Sequence, residues 1–304
     1  PTPGAVNDLT GLPAAKVAFS KPNQTFVDEL VLELTSTTEG ATIYYTVTGE
    51  PPSLFTRKEY IEPIRVTQSM RFVAQAVKDG LAPSPLTVAT YFKIDATFAE
   101  FESNLPIAVV DSFGGRAPTR EEFKEFGFAL IDRPADGMTR LLGDASVGEL
   151  VSLRIRGQSS SGFAKKQYRM EIQDPTGEDK DVSLAGLPRE SDWVLAAPYT
   201  DESLIRNAMI FELGRDMGLE APRTQYVELF FNTGGEAIGD AEYAGVYAIT
   251  EKIKVGNNRV DVQKLTPAMN AEPEVSGGFI VRHEDSASTP PRISGWRHFE
   301  IAAP

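Results

Sequence analysis

Short alternating runs of apolar and polar residues dominate the first third of the chain. Between residues 14 and 93 they read VAFS, FVDELVLELTS, ATIYYTVTG, PIRVT, SMRFVAQAVK and LTVATYFKI, rich in Val, Thr, Tyr and Phe. Turn residues separate the runs at short intervals, which predicts a small β-sandwich. In MRFVAQAVKDG, Phe72, Ala74 and Ala76 fall on one face, with Arg71, Val73 and Gln75 on the other. Residues 94–104, IDATFAEFESN, read as a linker with a short helical turn, the kind of segment that proteases cut first.

From LPIAVVDSF onward the texture changes. Strand-like runs appear at 106–111, 126–132, 149–156, 166–172, 225–231, 243–250 and 277–282. Between them DESLIRNAMIFELGRDMGL places Leu204, Ala208, Phe211 and Met217 at helical spacing. Asp201 is the expected N-cap, with Leu204 at N3, and Gly218 the expected C′ residue. Strands flanking one helix predict an α+β domain over residues 105–304 rather than a βαβ repeat.

Charge and composition narrow the chemistry. The chain has 304 residues and a formal net charge of −13, which disfavours general binding to nucleic acid or anionic lipid. No apolar run approaches the roughly 20 residues needed to span a bilayer. There is no Cys, which removes disulfides, thiolate metal sites and cysteine nucleophiles, and two His cannot make a tri-histidine metal site. The opening PTPGAVNDLTGLP, without an initiator Met or an apolar leader, fits a chain whose targeting segment has been removed.

Against that acidity stands RIRGQSSSGFAKKQYRMEI, residues 154–172. It reads as two antiparallel strands joined by a Gly- and Ser-rich loop, flanked by Arg154, Arg156, Lys165, Lys166 and Arg169. Small loop residues expose backbone N–H groups and hydroxyls, and the cations add charge-assisted contacts, a combination suited to phosphate. The competing interpretation is a solvated hairpin whose basic residues pair with the surplus carboxylates.

Two resemblances extend this picture. GATIYYTVTGEPPS and EYIEPIRVTQSMRFVAQAVKDGLAPSPLTVATYF resemble the Ig-like module at the C-terminal end of chitobiases and hexosaminidases. That resemblance implies an accessory module and a secreted or cell-envelope protein of a bacterium. Its aromatic residues Tyr44, Tyr45, Phe55 and Tyr60 are candidates for a glycan contact, with core or edge packing as the competing role.

The second resemblance is carried by the basic hairpin, LAGLPRESDWVLAAPYTDESLIRN, AEYAGVYAITEKIKVGNNRVDVQKL and SGGFIVRHED, in that order. Together they are similar to the CotH family of spore-coat-type atypical protein kinases. The resemblance implies ATP-dependent phosphoryl transfer to protein hydroxyls, with Mg or Mn, on a distantly kinase-like core. By position, Arg156, Ser159, Lys165 and Lys166 match the nucleotide-facing hairpin. Lys166 is the expected phosphate lysine, because it shares a strand face with Tyr168. Glu251 is expected to pair with that lysine, or else with Lys252 or Lys254. Arg206 and Asn207, at a helix start, are candidate phosphate contacts, or a local cap and salt bridge. Trp193 is expected in the core.

One departure qualifies the resemblance. The family pattern continues with an Asp-bearing segment and a Trp-Asp-x-Asp motif, whereas the two Trp here sit in SDWVL and SGWRH. The domain therefore reads as the front part of a CotH-like domain. The catalytic base and the metal carboxylates are expected beyond Pro304, with this chain inactive by itself. The alternative is a non-catalytic surface adhesion or binding protein on the same scaffold. Glu251, Glu284 and Asp285 are the nearest substitutes for the missing aspartates.

Overall fold

The computed structural model describes residues 11–303, except 136, 267, 277, 279 and 284–298. In the N-terminal unit, β1 (Gln24–Phe26), β2 (Thr42–Thr46), β3 (Lys58–Glu59), β4 (Met70–Val77) and β5 (Thr87–Lys93) form one sheet. Its order is β1-β5-β4-β2-β3. Two short ladders, Ala18–Phe19 with Leu34–Thr35 and Leu30–Leu32 with Ile64–Val66, make the opposing layer. Alternation in β4 fixes which face is inside. Phe72, Ala74 and Ala76 are buried with Leu32, Leu34, Val66 and Tyr91 between the layers, as the pattern predicts. Arg71, on the other face, lies over the Phe113 ring of the second unit at 5.4 Å.

The second unit is a closed barrel of seven strands. These are β6 (Ile107–Asp111), β7 (Lys124–Ile131), β8 (Val147–Arg156), β9 (Gln167–Gln173), β10 (Asp192–Ala196), β11 (Thr224–Asn232) and β12 (Tyr243–Glu251). Going round, the order is β6-β7-β8-β9-β10-β12-β11. Every neighbour pair is antiparallel except the closing one, where β6 runs parallel to β11. Inward residues such as Phe126, Leu153, Met170, Trp193, Leu229 and Tyr247 fill the interior.

The chain is therefore multidomain and mostly β, and the second unit is more strand-rich than the α+β domain anticipated. The one α-helix among its described residues, α1 (Arg206–Asp216), has no fully buried residue. The anticipated apolar face is only partly covered: Leu204, Ala208 and Phe211 are half-buried, whereas Met217 is exposed, as are Met209, Ile210 and Leu213 on the other sides. Nor is Asp201 the N-cap, since Leu204 adopts φ +63° and breaks the helical path before Ile205, which occupies the cap position. Leu204 is held there by its carbonyl, which accepts from the Tyr226 hydroxyl at 2.6 Å. Gly218 does follow the helix with φ +80°.

Residues 94–104 are packed rather than loosely tethered. Ile94 pairs with Ile238 in a parallel bridge, and Phe98 and Phe101 close edge-on over Phe230. Phe92 and Ile94 share a buried cluster with Ile107, Val109, Ala129 and Phe230 of the barrel. Two barrel glycines make room for this seam. A Cβ on Gly127 would fall 2.6 Å from the Phe113 ring, and one on Gly148 would fall 2.2 Å from the Asn23 side chain. Asn23 is fixed in turn, its carbonyl accepting from Ala145 N at 2.7 Å and its side-chain oxygen from Thr90 N at 2.8 Å.

The two units should consequently unfold together. Phe92→Ala is expected to destabilise both by about 3–5 kcal/mol, seen in urea as one transition by far-UV circular dichroism and tryptophan fluorescence. Limited proteolysis is expected to leave 94–104 intact. Early cleavage there, or two separated transitions, would show that the seam does not couple the units.

Candidate functional site: a basic hairpin at one mouth of the barrel

Strands β8 and β9 pair with Ile155 opposite Tyr168, Arg154 opposite Arg169 and Arg156 opposite Gln167. Alternation sends Leu153, Tyr168 and Met170 into the core, which places Arg154, Arg156 and Arg169 on the outer face. Beyond the strands, Gly157 has φ +97°, and a Cβ there would strike the Ser160 hydroxyl at 2.0 Å. Only glycine allows this turn. Ser159 precedes a 3-10 turn, Ser160–Gly162, and its carbonyl accepts from Gly162 N at 3.1 Å.

The two lysines divide their work. Lys166 Nζ donates to Ser161 O at 2.8 Å, within the loop itself. Lys165 Nζ instead crosses the barrel mouth, donating to Val246 O at 2.7 Å and lying 4.7 Å from the centre of the Tyr247 ring. Burial there pushes the Lys165 ammonium below its ordinary pKa, partly countered by the Glu228 carboxylate. The Tyr247 hydroxyl donates to Lys166 O at 2.9 Å, tying β12 to the hairpin.

Ion pairing at the hairpin is confined to one of its cations. Arg169 is paired with Glu171 and Asp192. Arg154 lies over the Phe123 ring at 4.8 Å. Among the described residues, Arg154, Arg156, Lys165 and Lys166 have no carboxylate within ion-pair distance.

The loop also touches the start of α1. Phe163 stacks on Tyr199, with ring centroids 5.2 Å apart, and the chain then turns through Asp201. That carboxylate accepts from Arg206 N at 2.8 Å and forms an ion pair with Arg206 Nε at 3.4 Å. The Ser203 hydroxyl, the Arg206 amide and the Arg206 charge hold it below the usual carboxylate range. Arg206 is thus engaged in a local cap and salt bridge, and Asn207 is exposed beside it in the first turn.

Glu251 stands apart from the hairpin. It is four residues beyond Tyr247 on β12, roughly 13 Å of strand. It pairs with none of the lysines considered for it. Its Oε1 accepts from Arg223 Nε and Arg259 Nη1, each at 2.8 Å, and its Oε2 from Arg223 N at 2.9 Å. The Arg259 guanidinium lies 4.9 Å from the centre of the Trp193 ring. Trp193 is fully buried, as expected. Lys252 and Lys254 turn the other way, to Asp192 at 2.8 and 2.7 Å, and Lys254 also reaches Glu190 at 2.7 Å.

The glycan candidates do not form a platform. The Tyr44 ring is covered by Arg57 at 3.8 Å, while Tyr45 and Tyr60 pack on the sandwich core. Phe55 alone stands out, 97% exposed. Among the described residues no three His, Asp or Glu gather as a metal site. Both Glu251 oxygens are already occupied, so the residues described do not fit the magnesium or manganese anticipated, and no step through a metal follows. Glu284 and Asp285 lie outside the described residues. No helix among those residues is long and apolar enough to cross a membrane.

Fold and site together define a two-part β protein: a sandwich module joined to a barrel that carries an unneutralised basic hairpin. Its parts match two family models in the same order. Residues 21–104 match the chitobiase/beta-hexosaminidase C-terminal domain, and residues 153–285 match the CotH kinase protein family. No curated protein matches the chain.

Asp192 offers a direct test of the network beneath the site. Burial alone would raise its pKa, but hydrogen bonds and charge from Lys252 and Lys254 outweigh burial and hold it at about 2, against an ordinary 3.8. A depressed carboxylate stabilises the fold above its unfolded pKa, and that stabilisation is lost as pH falls through the folded value. About 2 kcal/mol should therefore disappear between pH 4 and 2. Asp192→Asn should flatten this part of the stability–pH curve measured by urea unfolding. An unchanged slope would show that the lysines do not hold the carboxylate.

Proposed function

We propose that the barrel and its hairpin form the nucleotide-phosphate cradle of a CotH-type atypical protein kinase. The reaction is phosphoryl transfer from ATP to Ser or Thr hydroxyls of a protein substrate. One observation carries this reading. In a chain of net charge −13, Arg154, Arg156, Lys165 and Lys166 surround a Gly/Ser loop with no carboxylate partner among the described residues.

Each group has a part in such a cradle. Lys166, whose Nζ already bonds Ser161 O, keeps two further N–H donors for phosphate oxygens. Arg156 adds a planar fork. Ser159 and its neighbours supply hydroxyls and backbone N–H groups. Lys165 fixes the mouth through Val246 and Tyr247 and contributes charge at longer range. Arg206 and Asn207 lie on the side that the loop reaches through Phe163 and Tyr199. Glu251 supports the barrel through Arg223 and Arg259 and is not assigned to the phosphates. A bacterial protein of the cell envelope or outside the cell is the setting that the chitobiase-type module favours.

A second reading, a non-catalytic surface binder on the same scaffold, is favoured by Glu251, a carboxylate already committed to two arginines.

Binding and labelling separate the two readings. ATP should bind the chain with an affinity that falls as salt rises. Lys166→Ala should weaken it by about tenfold or more, one charge-assisted bond, and Lys165→Ala by less. Calorimetry checks both. Equal and negligible effects on a measurable affinity would remove the hairpin from the site. Nucleotide binding without labelling of any protein by any longer natural form of the chain would favour the binder.

A further inference from the structure

A second group of cations lies at the far end of β12, around Glu251. Arg215, Arg223, Lys252 and Arg259 line a cavity of about 310 Å³, together with Glu220 and Asp261. By liquid volume that is space for roughly ten waters, ample for a small oxyanion and its hydration.

Charge within this cavity does not balance at its base. Glu251 is the carboxylate of both Arg223 and Arg259, with Oε1 shared at 2.8 Å. The Arg259 side chain is only 2% exposed. Its Nη1 is fully used, donating to Glu251 Oε1 at 2.8 Å and Asn258 O at 2.9 Å. Its Nε and Nη2 have no hydrogen-bond partner among the described residues. Those two nitrogens form one side of the guanidinium, and their N–H bonds point the same way. That edge is the fork that holds a carboxylate or phosphate with two parallel bonds. The nearby Trp193 face supplies a weaker electrostatic contact, which leaves the hydrogen-bonding capacity unspent. A buried guanidinium in that condition costs several kcal/mol unless a partner arrives.

We propose that this cavity is an oxyanion site, with the Nε–Nη2 edge of Arg259 as its bidentate donor and Arg223 as its second cation. The ligand is a carboxylate or phosphate group. The edge is shielded from bulk water, so the ligand enters as the short loop 256–260 shifts. That loop is closed by Gly256 N to Val260 O at 3.1 Å, Arg259 N to Gly256 O at 2.9 Å and Val260 N to Lys254 O at 3.1 Å. The site is independent of the hairpin and does not rest on the kinase reading.

Nitrogen-15 NMR of the arginine Nε–H groups tests it on the 304-residue chain, with inorganic phosphate and acetate as separate probes at constant ionic strength. The Arg259 signal is identified by its loss in Arg259→Lys. It should move saturably with at least one probe, and which probe acts tells phosphate from carboxylate. Arg259→Lys keeps the charge and removes the fork, and should weaken phosphate binding about tenfold or more. Arg223→Lys should weaken it by less. Lys166→Ala should leave the Arg259 response unchanged, which separates this site from the hairpin. An Arg259 signal that ignores both probes, or moves equally with chloride, would overturn the proposal, and sequential triple-resonance assignment identifies that signal if Arg259→Lys fails to fold.

Discussion

Barrel closure is the constraint on which the rest depends. Strand β6 is bonded on one side to its sequence neighbour β7 and on the other to β11, a strand from far along the chain. Without the β6–β11 pairing the sheet has two open edges, and Phe126, Trp193, Leu229 and Tyr247 lose their common interior. The hairpin depends on it too. Lys165 reaches Val246, and Tyr247 reaches Lys166, from β12, which the barrel order holds between β10 and β11. Closure of this kind is slow to form, since loop entropy is lost before the non-local contacts are made.

The sandwich module is fitted to the barrel through what the barrel lacks. Gly127 and Gly148 lie on neighbouring strands β7 and β8, and each leaves room for one side chain, Phe113 and Asn23 respectively. Around them Thr25 N donates to Gly143 O at 3.0 Å and Asp95 N to Ile238 O at 2.8 Å. An interface built from backbone bonds and aromatic packing holds a fixed geometry. The module therefore acts as part of the barrel's wall.

Local pattern was a good guide wherever burial follows period two. Six of the seven barrel strands lie close to the runs read from the sequence, and β4 buries the face its alternation implies. Strand β10 was overlooked because Asp192–Ala196 is short and almost uninterrupted in its burial, so it shows no alternation. The helix start failed for a different reason. A left-handed Leu204 held by a distant Tyr226 is a tertiary effect, invisible to local capping rules. Cation partners were the least legible part. Arg223 and Arg259 are remote in sequence from β8 and β9, and nothing local marks either as the partner of Glu251. The alternation of Lys252 and Lys254 past the strand end did carry a signal, placing both on one face towards Asp192.

The distribution of charge links these observations to function. With acids in excess, the frame of the barrel can draw its cations into carboxylate pairs. At the flank of β10 that is what happens, where Asp192 and Glu190 gather Lys252, Lys254 and Arg169. Those contacts hold β9, β10 and the end of β12 in place beneath the hairpin. Nearer the hairpin tip, among the described residues, Lys165 and Lys166 have no carboxylate partner and donate to carbonyl oxygens instead. A carbonyl orients an ammonium without cancelling its charge. Neutral anchors for the lysines and acidic anchors for the frame below them are the arrangement that the proposed phosphate cradle would need.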